Sequence, residues 1–377
     1  MDRRCFLSAG TLALWNPLPH VSAEEDLNAA EHYRKAFLLL PELTEAEKEL
    51  IESLPGTPLN SINIDLIKRS EPALREMTRG AALKDCDWGG DYFAKILDED
   101  TMPAMKIRRL SRLACLRASY SFQKQEGLTA IADLAAAVKM GRHIGRQGPW
   151  IATLYQFSIE HSAIDVAAAQ LPQQNAKTVK ALAACLEALP RGSTLRESTQ
   201  GEKEFLLQYI RPKFQNKSSK EAFELLPKES YFTEEEVAAT MKATRGDIKA
   251  LLELIDAAAR LDDELAKISV LPAAQFKPAL SAFQKMHAEA NPFAVSIVPG
   301  LESMRYAADY RAVRFAMLHA AIAIVLCGTE QLKNSKDPFG DGPFQYRSFK
   351  GGFELQSKLK HKDGPPITLT VGLKQEG

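Results

Sequence analysis

The densest chemistry in this chain sits in one short stretch, Asp85-Cys86-Asp87-Trp88-Gly89-Gly90-Asp91-Tyr92. Three carboxylates, a thiol and two aromatic rings so close together could hold a cation or stack a sugar ring. Asp85, Asp87 and Asp91 do not follow a calcium-loop spacing, because the glycine and the distal glutamate of such a loop are missing. The competing use is architectural and is the one the sequence favours. In it Trp88 plugs a helical core and the aspartates cap helices or face water. Glu31-His32 and Glu160-His161 are adjacent acid–histidine pairs on predicted helices. Neighbours on a helix point ~100° apart, so neither pair is a ready dyad. Acid–base work would require partners from other helices. Otherwise each is a helix-face glutamate beside a hydrogen-bonded, partly buried histidine. Arg108 and Arg112, one helical turn apart, could grip a carboxylate or phosphate. Acidic stretches from Glu42 to Glu52 and at Asp98-Glu99-Asp100 favour salt bridges within the chain instead.

The binding candidates are therefore Asp85, Asp87, Trp88, Arg108, Arg112, Glu160 and His161. No residue is assigned a catalytic role, and no cofactor or metal is expected. The chain has no HExxH, phosphate-binding P-loop, GxSxG or EF-hand pattern. Its histidines are scattered, with no two at i,i+3 or i,i+4 on one helix. There is no CxxC, and Cys115, Cys185 and Cys327 lie in apolar helical stretches, where thiols behave as small hydrophobes.

Across 377 residues, 48 Lys and Arg balance 48 Asp and Glu. With 45% hydrophobic and 25% charged residues, the composition is that of a folded protein, not a disordered one. The zero balance argues against a dedicated nucleic-acid binder. At the N-terminus, Arg3-Arg4, a weakly apolar run from Leu7 to Trp15 and Val21-Ser22-Ala23 follow the order of an export signal. Arg3-Arg4-Cys5-Phe6-Leu7 is similar to a twin-arginine motif. The expectation is a signal peptide over 1–23 and an exported, periplasmic or extracellular protein. Removing Asp2, Arg3 and Arg4 leaves 46 cationic and 47 anionic residues, a net charge of −1. No mature segment is expected to span a membrane. The best candidate, Ala312 to Cys327, is short of ~20 residues and holds Arg314 and His319, so it reads as a core helix.

The elements that must position these residues are helical over 24–332. Thr44 with Glu47 and Thr233 with Glu236 are capping-box signatures. Pro103 opens a long helix to about Gln125. Leu128–Ile144 and Trp150–Gln170 form an Ala-rich antiparallel hairpin. Asn175 to Leu189 is a further amphipathic helix, Arg196 to Arg211 has helical character, and Pro212 to Ser230 reads as irregular. Asp247 to Lys267 is a long helix. Pro272, Pro278, Pro292 and Pro299 punctuate the next region, and a last helix starts near Leu301. Over 333–377 the pattern turns to strands at Gln345–Phe349, Phe353–Leu359 and Ile367–Gly372, with a turn at Lys350-Gly351-Gly352. The fold expected is mainly α, an irregular helical-hairpin bundle or tetratricopeptide-like solenoid, with a small C-terminal antiparallel β appendix. No clean repeat near 34 residues accompanies it.

Several blocks carry a resemblance: Asn28-Ala29-Ala30-Glu31-His32-Tyr33, Cys86-Asp87-Trp88-Gly89, Arg108 to about Gln170, and Asn291-Pro292 through Leu326 with Asp337-Pro338-Phe339 and Gln345-Tyr346-Arg347. Together they resemble an uncharacterised family of exported, mostly α-helical bacterial proteins. The resemblance implies no catalytic residue. The tail separately resembles the C-terminal β-region of type II secretion pseudopilins, through Asp337-Pro338-Phe339, Tyr346-Arg347, Gly351-Gly352 and Ser357. Lys358-Leu359-Lys360-His361-Lys362 stands where that region would carry an acidic metal-binding segment. The functional expectation is a non-enzymatic helical scaffold or binding protein with a protein or small-molecule partner. The alternatives are a hydrolase or lyase acting on a periplasmic polymer through Glu31, His32, Asp85, Asp87, Glu160 and His161, and a partner of secretion machinery.

Overall fold

The computed structural model describes residues 28–55, 61–89, 103–146, 148–228, 233–287, 291–360 and 364–374. The expected signal peptide, and Gly90 to Tyr92 of the aspartate-rich loop, lie outside them. Among the described residues there are fourteen α-helices and one three-stranded antiparallel sheet. The helices are α1 Ala29–Leu38, α2 Glu45–Glu52, α3 Ser61–Ala82, α4 Pro103–Gln123, α5 Gly127–Gly145, α6 Trp150–Gln170 and α7 Ala176–Ala188. They continue with α8 Leu195–Phe205, α9 Arg211–Gln215, α10 Ser219–Leu225, α11 Glu234–Thr244, α12 Ile248–Ile268, α13 Ala273–His287 and α14 Phe293–Cys327. A π-helical segment, Leu206–Ile210, joins α8 to α9.

Helix starts follow local chemistry. Asn28, Thr44, Asn175 and Thr233 accept backbone N–H bonds at the first turns of α1, α2, α7 and α11, each satisfying a donor that has no partner within its helix. Thr194 with Glu197 and Ser218 with Glu221 form two further capping boxes. The second of these corrects the expectation over Pro212 to Ser230: the stretch holds α10, because a reciprocal cap and the apolar Ala222 and Leu226 outweigh its polar composition. The prolines also punctuate less than expected. Pro278 lies inside α13 and Pro299 inside α14, so the last helix starts at Phe293. Phe293 and Val298 are buried, and that packing offsets the lost backbone bond.

Apolar faces gather into three clusters. The first joins α1 to α7, the C-terminal half of α14 and the sheet. The second lies around Phe205 to Leu226 and the first half of α12. The third joins Leu195, the end of α12, α13 and the first half of α14. Each fully buried Leu, Ile or Phe contributes roughly 1.5–3 kcal/mol. Ile297–Cys327 is long and apolar enough to cross a membrane by length and composition alone. In this fold Val313, Met317, Leu318 and Ala321 of that stretch are core residues. Arg314 pairs with Asp165 and donates to the Thr368 carbonyl at 2.8 Å.

The strands are β1 Gln345–Phe349, β2 Gly352–Lys360 and β3 Pro366–Val371, in the order β1-β2-β3. Phe353, Leu355, Ile367, Leu369 and Val371 alternate inward and belong to the first helical core. The β2–β3 register breaks between Gln356 and Lys360. Asp337 repairs that region: one oxygen accepts from Ser357 Oγ at 2.7 Å and the other from Lys358 N at 2.7 Å. The Gly372 N–H closes onto the Ala168 carbonyl of α6 at 3.0 Å.

Candidate functional site

Between the first core and α8 lies a cleft of about 860 Å³. One wall is the Cys86–Gly89 loop with Arg146 and Pro149; the other is Arg191–Ser193, α8, Tyr209 and Asp263. Neither wall is left to its own flexibility.

The first wall is pinned to α1. The Asn28 side chain donates to the Asp87 carbonyl at 2.6 Å and accepts the Asp87 N–H at 2.8 Å. The Ala29 N–H donates to the Asp85 carbonyl at 3.0 Å. The Trp88 ring stacks with Tyr33 and Phe37, at centroid distances of 5.6 and 6.4 Å. Its indole N–H donates to the His143 carbonyl at 3.3 Å, and Arg34 donates to the Trp88 carbonyl. Burial, with Arg146 and Lys139 nearby, draws His143 down to about 4, so its ring is neutral. Burial pushes the Tyr33 hydroxyl up, so it stays protonated, and it shares a hydrogen bond with His143 Nδ1 at 2.9 Å. Trp88 is thus a buried core plug stacked on α1, not a free platform for a sugar. Gly89 then turns the chain at φ +76°, a conformation that suits glycine, and the Asp87 carboxylate accepts its N–H at 2.8 Å.

The second wall rests on a buried charge network. Glu160 is fully buried on α6. It accepts from Arg142 Nε at 2.7 Å, Gln156 Nε2 at 3.2 Å and Arg311, the last through both Nε and Nη2. Arg142 reaches on to the Pro190 carbonyl, and the Gln156 carbonyl oxygen accepts the Ser193 N–H at 3.0 Å. The network therefore holds both ends of the Pro190–Ser193 turn. Gly192 is required within it, since a Cβ there would lie 2.1 Å from Gln156 Nε2. From this turn α8 starts with its capping box. It is tied to α6 where Glu202 accepts the Trp150 N–H at 2.8 Å and Thr199 accepts the indole N–H at 3.3 Å.

The charges facing the cleft are mostly paired with one another. Arg191 pairs with Glu197, and Lys203 with Asp263 at 2.7 Å. Among the described residues Arg146 has no carboxylate partner, and the exposed Asp87 and Glu204 carboxylates have no cationic one. Burial pushes the Cys86 thiol up to about 12, which keeps it protonated.

Of the sequence candidates, only Asp87 and Trp88 line this cleft. Asp85 is exposed beside them. Glu160 stands behind the opposite wall. His161 points elsewhere, its ring edge-on to Tyr310 at 4.6 Å, and burial beside Arg314 and Arg311 draws it down to about 3. Arg108 and Arg112 both turn to Glu52, at 2.6 and 3.6 Å, and tie α4 to α2. His32 meets Glu76 at 2.9 Å, and Glu31 is exposed. These residues do not converge on one substrate position, which the polymer hydrolase or lyase alternative requires. Among the described residues no three His, Cys, Asp or Glu side chains gather as a metal site. The four described cysteines are free thiols. Sequence reasoning missed Gln156, Arg191 to Ser193, α8 and Arg311 as parts of a site. The signal available was the Pro190-Arg191-Gly192-Ser193 break running straight into the Thr194 and Glu197 box.

No family model, curated protein or solved structure was found to match this chain.

Proposed function

We propose that this chain is an exported, non-enzymatic helical binding protein, and that its cleft takes a polar ligand bearing both a carboxylate and an amino group, the chemistry of a short peptide. The observation carrying the reading is the pattern of charge in the cleft. Arg191 and Lys203 are satisfied by their own carboxylates, while the cationic Arg146 and the anionic Asp87 and Glu204 keep charges that the described residues do not neutralise. A guanidinium is suited to a carboxylate, and a carboxylate to an ammonium group. The buried plug on one side and the Glu160 network on the other support preorganised walls, which reduce the ordering cost of binding. The scattered acid and histidine candidates give no support to general acid–base work. The Arg3-Arg4 leader supports export.

The test is isothermal titration calorimetry of the leaderless chain with a set of charged tetrapeptides and with neutral oligosaccharides of similar size. Peptides are expected to bind. Arg146→Ala is expected to weaken them about tenfold to hundredfold, the loss of one charge-assisted hydrogen bond of about 1.5–3 kcal/mol. Equal affinity in Arg146→Ala, binding of the oligosaccharides alone, or release of cleavage products would overturn the reading. Export is tested by cell fractionation: Arg3→Lys with Arg4→Lys is expected to retain the precursor inside.

A further inference from the structure

Asp262 is the one residue among those described whose two carboxylate oxygens are both buried without a hydrogen-bond partner. It is fully buried on α12, at the seam with α8. Helical spacing puts it on one face with Ala258, Ala259, Leu265 and Ala266, all buried. The charged groups acting on it are Glu202 and Lys203 of α8 and Asp263 of its own helix. Lys203 is held by Asp263 at 2.7 and 2.9 Å. Of the cations on the other elements packed on α12, Arg211 is held by Asp256, His287 by Glu264, and Arg305 by Asp309 and the Leu271 carbonyl.

An ionised carboxylate in this place would be an unpaired buried charge beside another carboxylate, among the costliest arrangements a core can hold. We propose that the α8–α12 seam is a pH-responsive latch, closed while Asp262 carries its proton and loosened when it loses it, so that pH moves one wall of the cleft. The wall is coupled because α8 lines the cleft from Glu197 to Phe205 and Asp263 lines it from α12. The latch stands whether or not a peptide uses the cleft.

Burial first, then Glu202 and Asp263, raise Asp262 well above the ordinary carboxyl range in the closed seam. The sign follows. Below the ordinary carboxyl value the closed and open forms are both protonated, and the seam keeps its full stability. Between that value and the raised one, the open form ionises and the closed form does not. Each pH unit then favours opening about tenfold, until the closed form also ionises and the effect levels off.

Amide exchange over 195–205 and 248–268, corrected for its intrinsic pH dependence, reads this directly between pH 4 and 9. The wild-type opening constant is expected to climb about tenfold per unit and then level off. Asp262→Asn is expected to show no climb, and Glu202→Gln to level off at lower pH, because a neighbouring negative charge is gone. Above the ordinary carboxyl range and below the pH at which the opening constant levels off, an infrared carbonyl band of a protonated carboxyl should be present in the wild type and absent in Asp262→Asn. Identical pH profiles for the wild type and either variant, or an unchanged infrared band, would overturn the latch.

Discussion

Glu160 and Asp262 are both fully buried carboxylates behind the same cleft, and they are held in opposite ways. Glu160 has two guanidiniums and an amide on it. Among the described residues no donor reaches Asp262. Burial is equal, so burial does not decide what each contributes. A desolvated charge is tolerated where its partners replace the lost water, and elsewhere it survives by keeping a proton. The first arrangement fixes a wall. The second leaves a wall that responds to solution conditions.

The largest expected effect tests that contrast by equal truncation. Glu160→Ala leaves the buried Arg142 and half-buried Arg311 without their anion and removes the acceptor of the Gln156 amide nitrogen. It should cost about 3–5 kcal/mol in urea denaturation at neutral pH. Glu160→Gln, which keeps an oxygen acceptor, should cost less. Asp262→Ala removes a penalised group and should lose far less at pH 8 than Glu160→Ala does. Equal losses for the two alanine variants would mean that their partners do not matter and would break the comparison.

Much of the fold was legible in the chain. The two expected capping boxes, the Ala-rich hairpin and the three strands fall where 3.6-residue and two-residue periodicity put them. The misses share a cause. Pro278 and Pro299 read as breaks because local propensity forbids them, and burial of Phe276, Leu280 and Phe293 overrides it. The site was legible only in part. Trp88 and Asp87 stood out by composition, as did Glu160 by its neighbour His161. The residues that make Glu160 meaningful are Arg142, Gln156 and Arg311, and the last is 151 positions away. No spacing rule reports such a contact. Asp262 is invisible for the converse reason, since Asp262-Asp263 reads as one more solvated acidic pair on an amphipathic helix.

A smaller effect sharpens the account of the second wall. Gly192→Ala would place a methyl 2.1 Å from Gln156 Nε2 and 3.1 Å from Arg311 Nη2. Gln156 is not a loose end that can swing aside, because its amide is shared between Ser193 and Glu160. The expected cost is about 1–3 kcal/mol by overpacking. Gly192→Ala in a Gln156→Ala background should cost almost nothing further, since the atom it strikes is gone. A full additional loss in the double variant would show that backbone conformation, not the network, demands the glycine.

The smallest effect belongs to the first wall, where the cause is reversed. Gly89 has open space where a Cβ would go, but it holds φ at +76°. Gly89→Ala should therefore cost about 1–2 kcal/mol from left-handed backbone alone. Gly89→Asn should cost less, because asparagine tolerates that region. Neither change touches Asn28, Tyr33 or Phe37, so the Trp88 plug should remain and its fluorescence should stay that of a buried indole. If the alanine and asparagine variants lose stability equally, side-chain crowding outside φ is at work. The two glycines would then be required for one reason, not two.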